Sequence, residues 1–268
     1  MNLLMIGCGA IGSTIAAYAQ NNREIENVYL YDRLTEKVRY LSRLYSKCRV
    51  AESVSSCLKK VHLVVEAASQ EAVREYALMS VREGKDILIM SVGALEDDEL
   101  RSSLEREALM RDVRVIIPSG ACGGLDALLS AGYDTITSVK LTTIKPPEGL
   151  SGAPYVKENK INLSTIEKRT IIFTGNARDA IRWFPANVNI AATVSLCGIG
   201  FDRTVVEVVC DPFAKRNIHI LEVKGEFGEF RCEFSNTPFP ANPRTSYLAA
   251  LSAIKCVSRG RGKGITVI

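Results

Sequence analysis

Gly7, Gly9 and Gly12 stand in the run Gly7-Cys8-Gly9-Ala10-Ile11-Gly12, and Asp32 follows Gly12 by 20 residues. Residues of these types at this spacing can hold a dinucleotide. Gly7 would make the tight turn after a strand, Gly9 would let the backbone approach a pyrophosphate, and Gly12 would let the following helix lie close to the strand. The helix start, at Ala10 and Ile11, offers unpaired N–H groups and the positive end of the helix dipole to that phosphate. Asp32 is placed to accept hydrogen bonds from the adenosine ribose. Its charge repels a 2′-phosphate, whereas Arg33 could pair with one. Use of both NAD and NADP is therefore expected, with NAD preferred.

Three further places could carry the reaction itself. The turn Ser119-Gly120-Ala121-Cys122-Gly123-Gly124 exposes backbone where a strand ends, and could meet the nicotinamide end of the cofactor or serve only as a hinge. The amides of Asn187 and Asn189 could pair with a carboxamide or a ribose, although Asn187 could equally cap a helix. His219, in Asn217-Ile218-His219-Ile220-Leu221, is the good candidate in the second half for a group titrating near neutral pH. Strand alternation sets it on the face opposite Ile218 and Ile220. An isolated histidine in such a strand is usually a satisfied structural residue. His62, which begins a strand far in sequence from the strand exits, is read as structural.

The elements that position these residues follow from periodicity. Leu3 to Ile6, Val28 to Tyr31, Val61 to Ala67, Asp86 to Ser91 and Val113 to Pro118 read as strands. Between them, Ser13 to Ala19, Thr35 to Tyr45, Gln70 to Gly84 and Glu96 to Arg111 read as helices, the last capped by Asp97 or Asp98. Strand and helix in alternation give an α/β, doubly wound parallel sheet of the Rossmann type over residues 1–120. Residues 121–242 form a smaller α+β domain for substrate, catalysis and dimerisation, with an expected antiparallel sheet. Its strands are Ser138 to Ile144, Lys168 to Thr174, Phe201 to Cys210, Ile218 to Lys224 and Phe230 to Phe234. Leu125 to Ala131 and Val188 to about Gly198 are its helices, and Lys145 to Asn162 reads as a loop. Asn242 and Pro243 read as cap and first residue of a helix, 243–257, that completes the first domain; residues 258–268 form a basic tail.

Composition narrows the classes. Of the 268 residues, 47% are hydrophobic and 24% charged, which is ordinary for a globular chain, and a net charge of +4 with scattered basic residues gives no footprint for nucleic acid. Eight cysteines stand singly, with two histidines, so neither a disulfide framework nor a metal site is expected. No apolar run reaches the roughly eighteen residues of a membrane span. With no leader ahead of the first strand, a cytoplasmic location is expected.

Five motifs in order along the chain, GCGAIG, SGACGGLDAL, FPANVNIAATVSLCGIG, DP followed by NIHILEV, and NPRTSYLAALSAI, are those of a known family. On them the sequence resembles the L-aspartate dehydrogenases, with Cys122 standing where relatives often carry an aliphatic residue. The resemblance implies NAD(P)-dependent oxidation of L-aspartate to iminoaspartate, which hydrolyses to oxaloacetate and ammonia or feeds NAD synthesis. It implies that Ala121 and Asn189 contact the cofactor, that His219 is the active-site residue, and that the protein is a homodimer. The substrate's two carboxylates then need partners, for which Lys145, Lys215, Arg216 and Arg244 are candidates that sequence does not rank. The alternatives are a two-domain reductase of the dihydrodipicolinate or homoserine dehydrogenase type, and a non-catalytic NAD-binding redox sensor.

Overall fold

The computed structural model describes residues 1–185, 189–240 and 242–258. Asn187, the first residue of the expected helix at Val188, the tail from Arg259 on and the side chain of Arg244 lie outside the described residues. The described residues divide into two compact units, one of Met1–Pro118 with 250–258, the other of Ser119–Ala249.

In the first unit the elements run β1 (Asn2–Ile6), α1 (Ala10–Asn21), β2 (Asn27–Tyr31), α2 (Thr35–Leu44), β3 (Cys48–Val50), α3 (Val54–Leu58), β4 (Leu63–Glu66), α4 (Gln70–Arg82), β5 (Asp86–Ile89), α5 (Asp98–Arg111) and β6 (Val115–Ile116). The strands form one sheet in the order β3-β2-β1-β4-β5-β6, with every pairing parallel. This is the doubly wound arrangement, and its order reverses between β1 and β4, where a crevice opens at the carboxyl ends of the strands. Leu3, Leu4, Met5, Val64, Val65, Ile87 and Leu88 are buried, as strands covered on both faces require. Helix starts follow local chemistry. Ser69 caps α4 by accepting from Ala72 N–H, and Asp97, one of the two expected caps, accepts from Glu99 and Leu100 N–H at the start of α5. The helix α3 follows β3 closely, and its five residues are too few to show a period.

The second unit contains α6 (Leu125–Ala131), β7 (Ile136–Lys145), α7 (Pro147–Leu150), α8 (Pro154–Glu158), β8 (Thr170–Asn176), α9 (Ala177–Trp183), α10 (Asn189–Cys197), β9 (Val205–Cys210), β10 (Asn217–Gly225), β11 (Gly228–Asn236), β12 (Pro238–Phe239) and β13 (Asn242–Ser246); α11 (Tyr247–Ser258) follows and belongs from Ala250 to the first unit. Its main sheet runs β11-β10-β7-β9-β8. Three pairings are antiparallel, but β7 and β9 are parallel, so the sheet is mixed rather than wholly antiparallel. The expected loop after Lys145 contains α7 and α8, each started by a proline at its first turn, where the missing N–H costs nothing. The helix α9, capped by Asn176, also went unread. At the far end the expected cap at Asn242 is corrected: 242–246 is a strand paired with β12, and the helix begins only at Tyr247. Backbone pairing across that hairpin outweighs the local preference of an Asn-Pro pair.

Candidate active site

The glycine turn sits at the crevice of the first sheet. Gly7 has a φ of 101°, and a side chain there would meet the carbonyl oxygen of Ala67 at 2.5 Å and the nitrogen of Ala68 at 2.8 Å. Only glycine fits. Gly12 is buried, and a side chain on it would collide with the Gly7 carbonyl, so its role is close packing of α1 on the turn. Gly9 is different. Its φ of −79° is open to any residue and a side chain there would enter open space. Among the described residues nothing crowds this position, which leaves its backbone open to a group approaching from outside. No side chain caps α1, and its first turn, from Ala10 and Ile11, carries no acid. The residues present therefore fit the pyrophosphate of a dinucleotide.

Asp32 is fixed from two sides: Cys8 N–H donates to Oδ2 at 2.7 Å and Leu34 N–H to Oδ1 at 2.8 Å. A carboxylate held this way presents its remaining lone pairs in one direction. Arg33 is mostly exposed and stands 3.7 Å from Glu75, which draws its charge toward α4. A cleft of about 410 Å³ is lined by Gly7, Gly9, Asp32, Arg33, Lys37 and the β4 exit at Ala67, Ala68 and Ser69. The small residues at that exit give room.

In the second unit, β7 and β10 bring together a polar group that sequence order hides. His219 pairs across the strands with Thr143, and Thr143 Oγ1 lies 3.1 Å from His219 Nδ1. Lys145, two residues beyond Thr143, shares that face by alternation. His219 is 3% exposed, Thr143 is wholly buried and Lys145 is 2% exposed. Ile144, Ile218, Ile220 and Val209 pack together as an apolar cluster, which is the face sequence alternation assigned to Ile218 and Ile220. Burial, aided by the charge of Lys145, lowers the His219 pKa to about 3, so the imidazole is neutral at physiological pH. A buried ammonium beside a neutral imidazole can hold an anion and accept a proton from it or from a group attached to it.

The turn at Ser119–Gly124 is tied to the same strands. Asn236, the cross-strand partner of Asn217, donates from Nδ2 to the Ala121 carbonyl at 2.9 Å. Gly123 lies against Phe234, which is the β11 partner of His219. Gly120 lies against Ile190, next to Asn189 at the start of α10. The turn that carries Ala121 thus reaches the strands of His219 through Asn236 and Phe234, and the start of α10 through Ile190, all within one unit. His62 is exposed and accepts from Asn2 N–H at its Nδ1, a structural role.

Lys215 and Arg216 are exposed, whereas Lys145 is among the largest buried side chains. That ranking was invisible in the sequence. The signal available was the alternation Leu141, Thr143, Lys145, which continues an inward face up to the proline pair. Thr143 and Asn236 carried no signal of their own, being uncharged residues in unremarkable strands. Among the described residues no group of His, Cys, Asp and Glu could hold a metal ion. None of their helices is long and apolar enough to cross a membrane.

Comparison with known proteins decides the family. Residues 126–260 match the family model described as aspartate dehydrogenase, C-terminal, and residues 7–118 match the homoserine dehydrogenase NAD binding domain. An L-aspartate dehydrogenase of Methanosarcina mazei is 46% identical over 257 residues, covering 95% of each chain. The chain belongs to the aspartate dehydrogenase family. Another aspartate dehydrogenase, from Methanosarcina barkeri, is 46% identical over 259 residues with the same coverage. The crystal structure of aspartate dehydrogenase from Thermotoga maritima superimposes with a TM-score of 0.78 at 29% identity, over 100% of this chain and 99% of that one. The likeness read from the five motifs is therefore borne out, as is the two-unit α/β architecture of this family.

Proposed function

We propose that this chain oxidises L-aspartate to iminoaspartate with a pyridine nucleotide, preferring NAD, and that the imine then hydrolyses to oxaloacetate and ammonia or enters NAD synthesis. The observation that carries the reading is the shared face of His219, Thr143 and Lys145 in a chain of the aspartate dehydrogenase family. The reaction needs three things. The ammonium of aspartate must lose a proton, because its lone pair drives imine formation; a hydride must leave Cα; and two carboxylates must be held.

His219 is the acid/base. Its Nδ1 is engaged by Thr143, which fixes the ring and leaves Nε2 as the atom that exchanges the proton with the substrate nitrogen. A pKa of about 3 makes a weak base; burial causes most of that depression and the Lys145 cation adds to it. A dianionic substrate seated on Lys145 offsets that cation and raises the basicity of the imidazole when it is needed. Burial of the group excludes water and keeps the electrostatic interactions strong. Bound NAD supplies the hydride acceptor, at the nicotinamide C4. Gly7, Gly9, Gly12, Ala10 and Ile11 receive its pyrophosphate, Asp32 its adenosine ribose, and Ala121 and Asn189 the part nearer the nicotinamide. The preference for NAD rests on the fixed carboxylate of Asp32 and on the pull of Glu75 on Arg33.

A homodimer in the cytoplasm, with the second unit and α11 building the interface, completes the proposal. The test is a substrate screen with L-aspartate, homoserine and dihydrodipicolinate, following absorbance of the reduced nucleotide. Turnover with aspartate supports the reading. Turnover with one of the others instead transfers the chain to a neighbouring reductase, and nucleotide binding without turnover on any points to a sensor.

A further inference from the structure

Glu66 is the last residue of β4 and is completely buried. A carboxylate in that position is costly unless it is heavily hydrogen-bonded. Here four donors converge on it. Oε1 accepts from Ala68 N–H at 2.7 Å, Ser69 N–H at 3.0 Å and the Ser91 hydroxyl at 2.9 Å, while Oε2 accepts from Ser91 N–H at 2.9 Å. Burial pushes the Glu66 carboxyl up, and these bonds reduce that rise without cancelling it. All four bonds are accepted by the two carboxyl oxygens, which supply every acceptor the four donors need.

The donors lie where strands β4 and β5 leave the sheet, and two of them, Ala68 and Ser69, line the dinucleotide cleft. The same backbone presses on the glycine turn, since Ala67 and Ala68 are what a side chain at Gly7 would strike. Ala67 N–H also donates to Ile6, the last residue of β1. One buried carboxyl group therefore clamps the exit of β4 to the exit of β5 and, through Ala67 and Ala68, sets the wall facing the glycine turn. We infer that Glu66 is a positioning residue for the nucleotide: it touches neither substrate nor cofactor, and it fixes the β4 wall at the spacing the pyrophosphate turn requires. The inference rests on the reading of this cleft as the nucleotide site.

Glu66→Gln keeps the size but turns two acceptors into one acceptor and one donor facing backbone N–H groups. Its NADH dissociation constant, read by fluorescence titration, should rise about tenfold, with the KM for aspartate unchanged and kcat at saturating NAD within twofold of the parent. Ser91→Ala removes one donor and leaves the carboxylate; NADH affinity should fall about threefold, and Ser91→Thr, which keeps the hydroxyl, should restore it. The serine pair keeps the test valid even where Glu66→Gln fails to fold. Unchanged NADH affinity in Ser91→Ala, or a loss in Glu66→Gln confined to kcat or thermal stability, overturns the inference. Failure of the parent protein itself to bind NADH instead overturns the reading of the cleft.

Discussion

Thr143 and His219 face each other across the β7–β10 pair, the threonine hydroxyl 3.1 Å from the Nδ1 of the ring in a wholly buried setting. The contact gives the imidazole one orientation and reserves its other nitrogen. Thr143→Val keeps the shape of the side chain and removes the partner. The variant should lose about tenfold in kcat, with unchanged NADH affinity, and about 1–3 kcal/mol of stability from the unpaired ring nitrogen. Steady-state kinetics and urea unfolding of the same sample check both.

Lys145 is predicted to bind a substrate carboxylate, so its loss should appear in KM. Lys145→Met keeps the aliphatic stem, on which Gly149 lies, and deletes the charge. Removing one member of a buried charged contact costs about 2–5 kcal/mol. The KM for aspartate should rise thirtyfold or more, with NADH affinity retained. A normal KM would reassign the carboxylate to another residue.

Much of this arrangement was legible in the residues because each local signal agreed with the fold. The glycine spacing fixed the turn, the apolar run from Val61 matched a strand, and Leu125–Ala131 was readable because Gly124, with a φ of 70°, starts it and the apolar residues recur at helical spacing. His219 could be assigned a face by alternation alone. Lys145 could not be chosen from four basic residues, because nothing local distinguishes a buried lysine from a surface one; its depth comes from strands far apart in sequence. The short helices α7, α8 and α9 carry too few turns to show a period. The parallel β7–β9 pair is a property of topology, and the strand at Asn242–Ser246 exists because β12 pairs with it.

Asp32 is the other residue whose charge has a measurable role. Asp32→Ala removes hydrogen bonds from a charged acceptor, worth about 1.5–3 kcal/mol. NAD should bind ten- to a hundredfold more weakly, NADP should be affected less, and the ratio of kcat/KM for NADP over NAD should rise at least tenfold. An unchanged ratio would remove Asp32 from cofactor selection.

The low pKa of His219 also makes stability depend on pH. The unfolded chain takes up a proton at this residue near pH 6.5, the folded protein only near pH 3. Between these values the unfolded state binds more protons, so stability falls as pH falls. At pH 5 this residue should cost about 2 kcal/mol relative to pH 7.5. His219→Gln lacks that dependence, and urea midpoints at the two pH values should differ less in the variant than in the parent.

The central claim is that His219 moves the proton while aspartate gives up its hydride. The most direct measurement is aspartate-dependent formation of NADH by the parent protein and by His219→Ala, with NADH binding measured on both. The account predicts turnover by the parent, and a variant that binds NADH normally but turns over at least about a hundredfold more slowly. Near-normal turnover by His219→Ala, or none by the parent with aspartate, would contradict it.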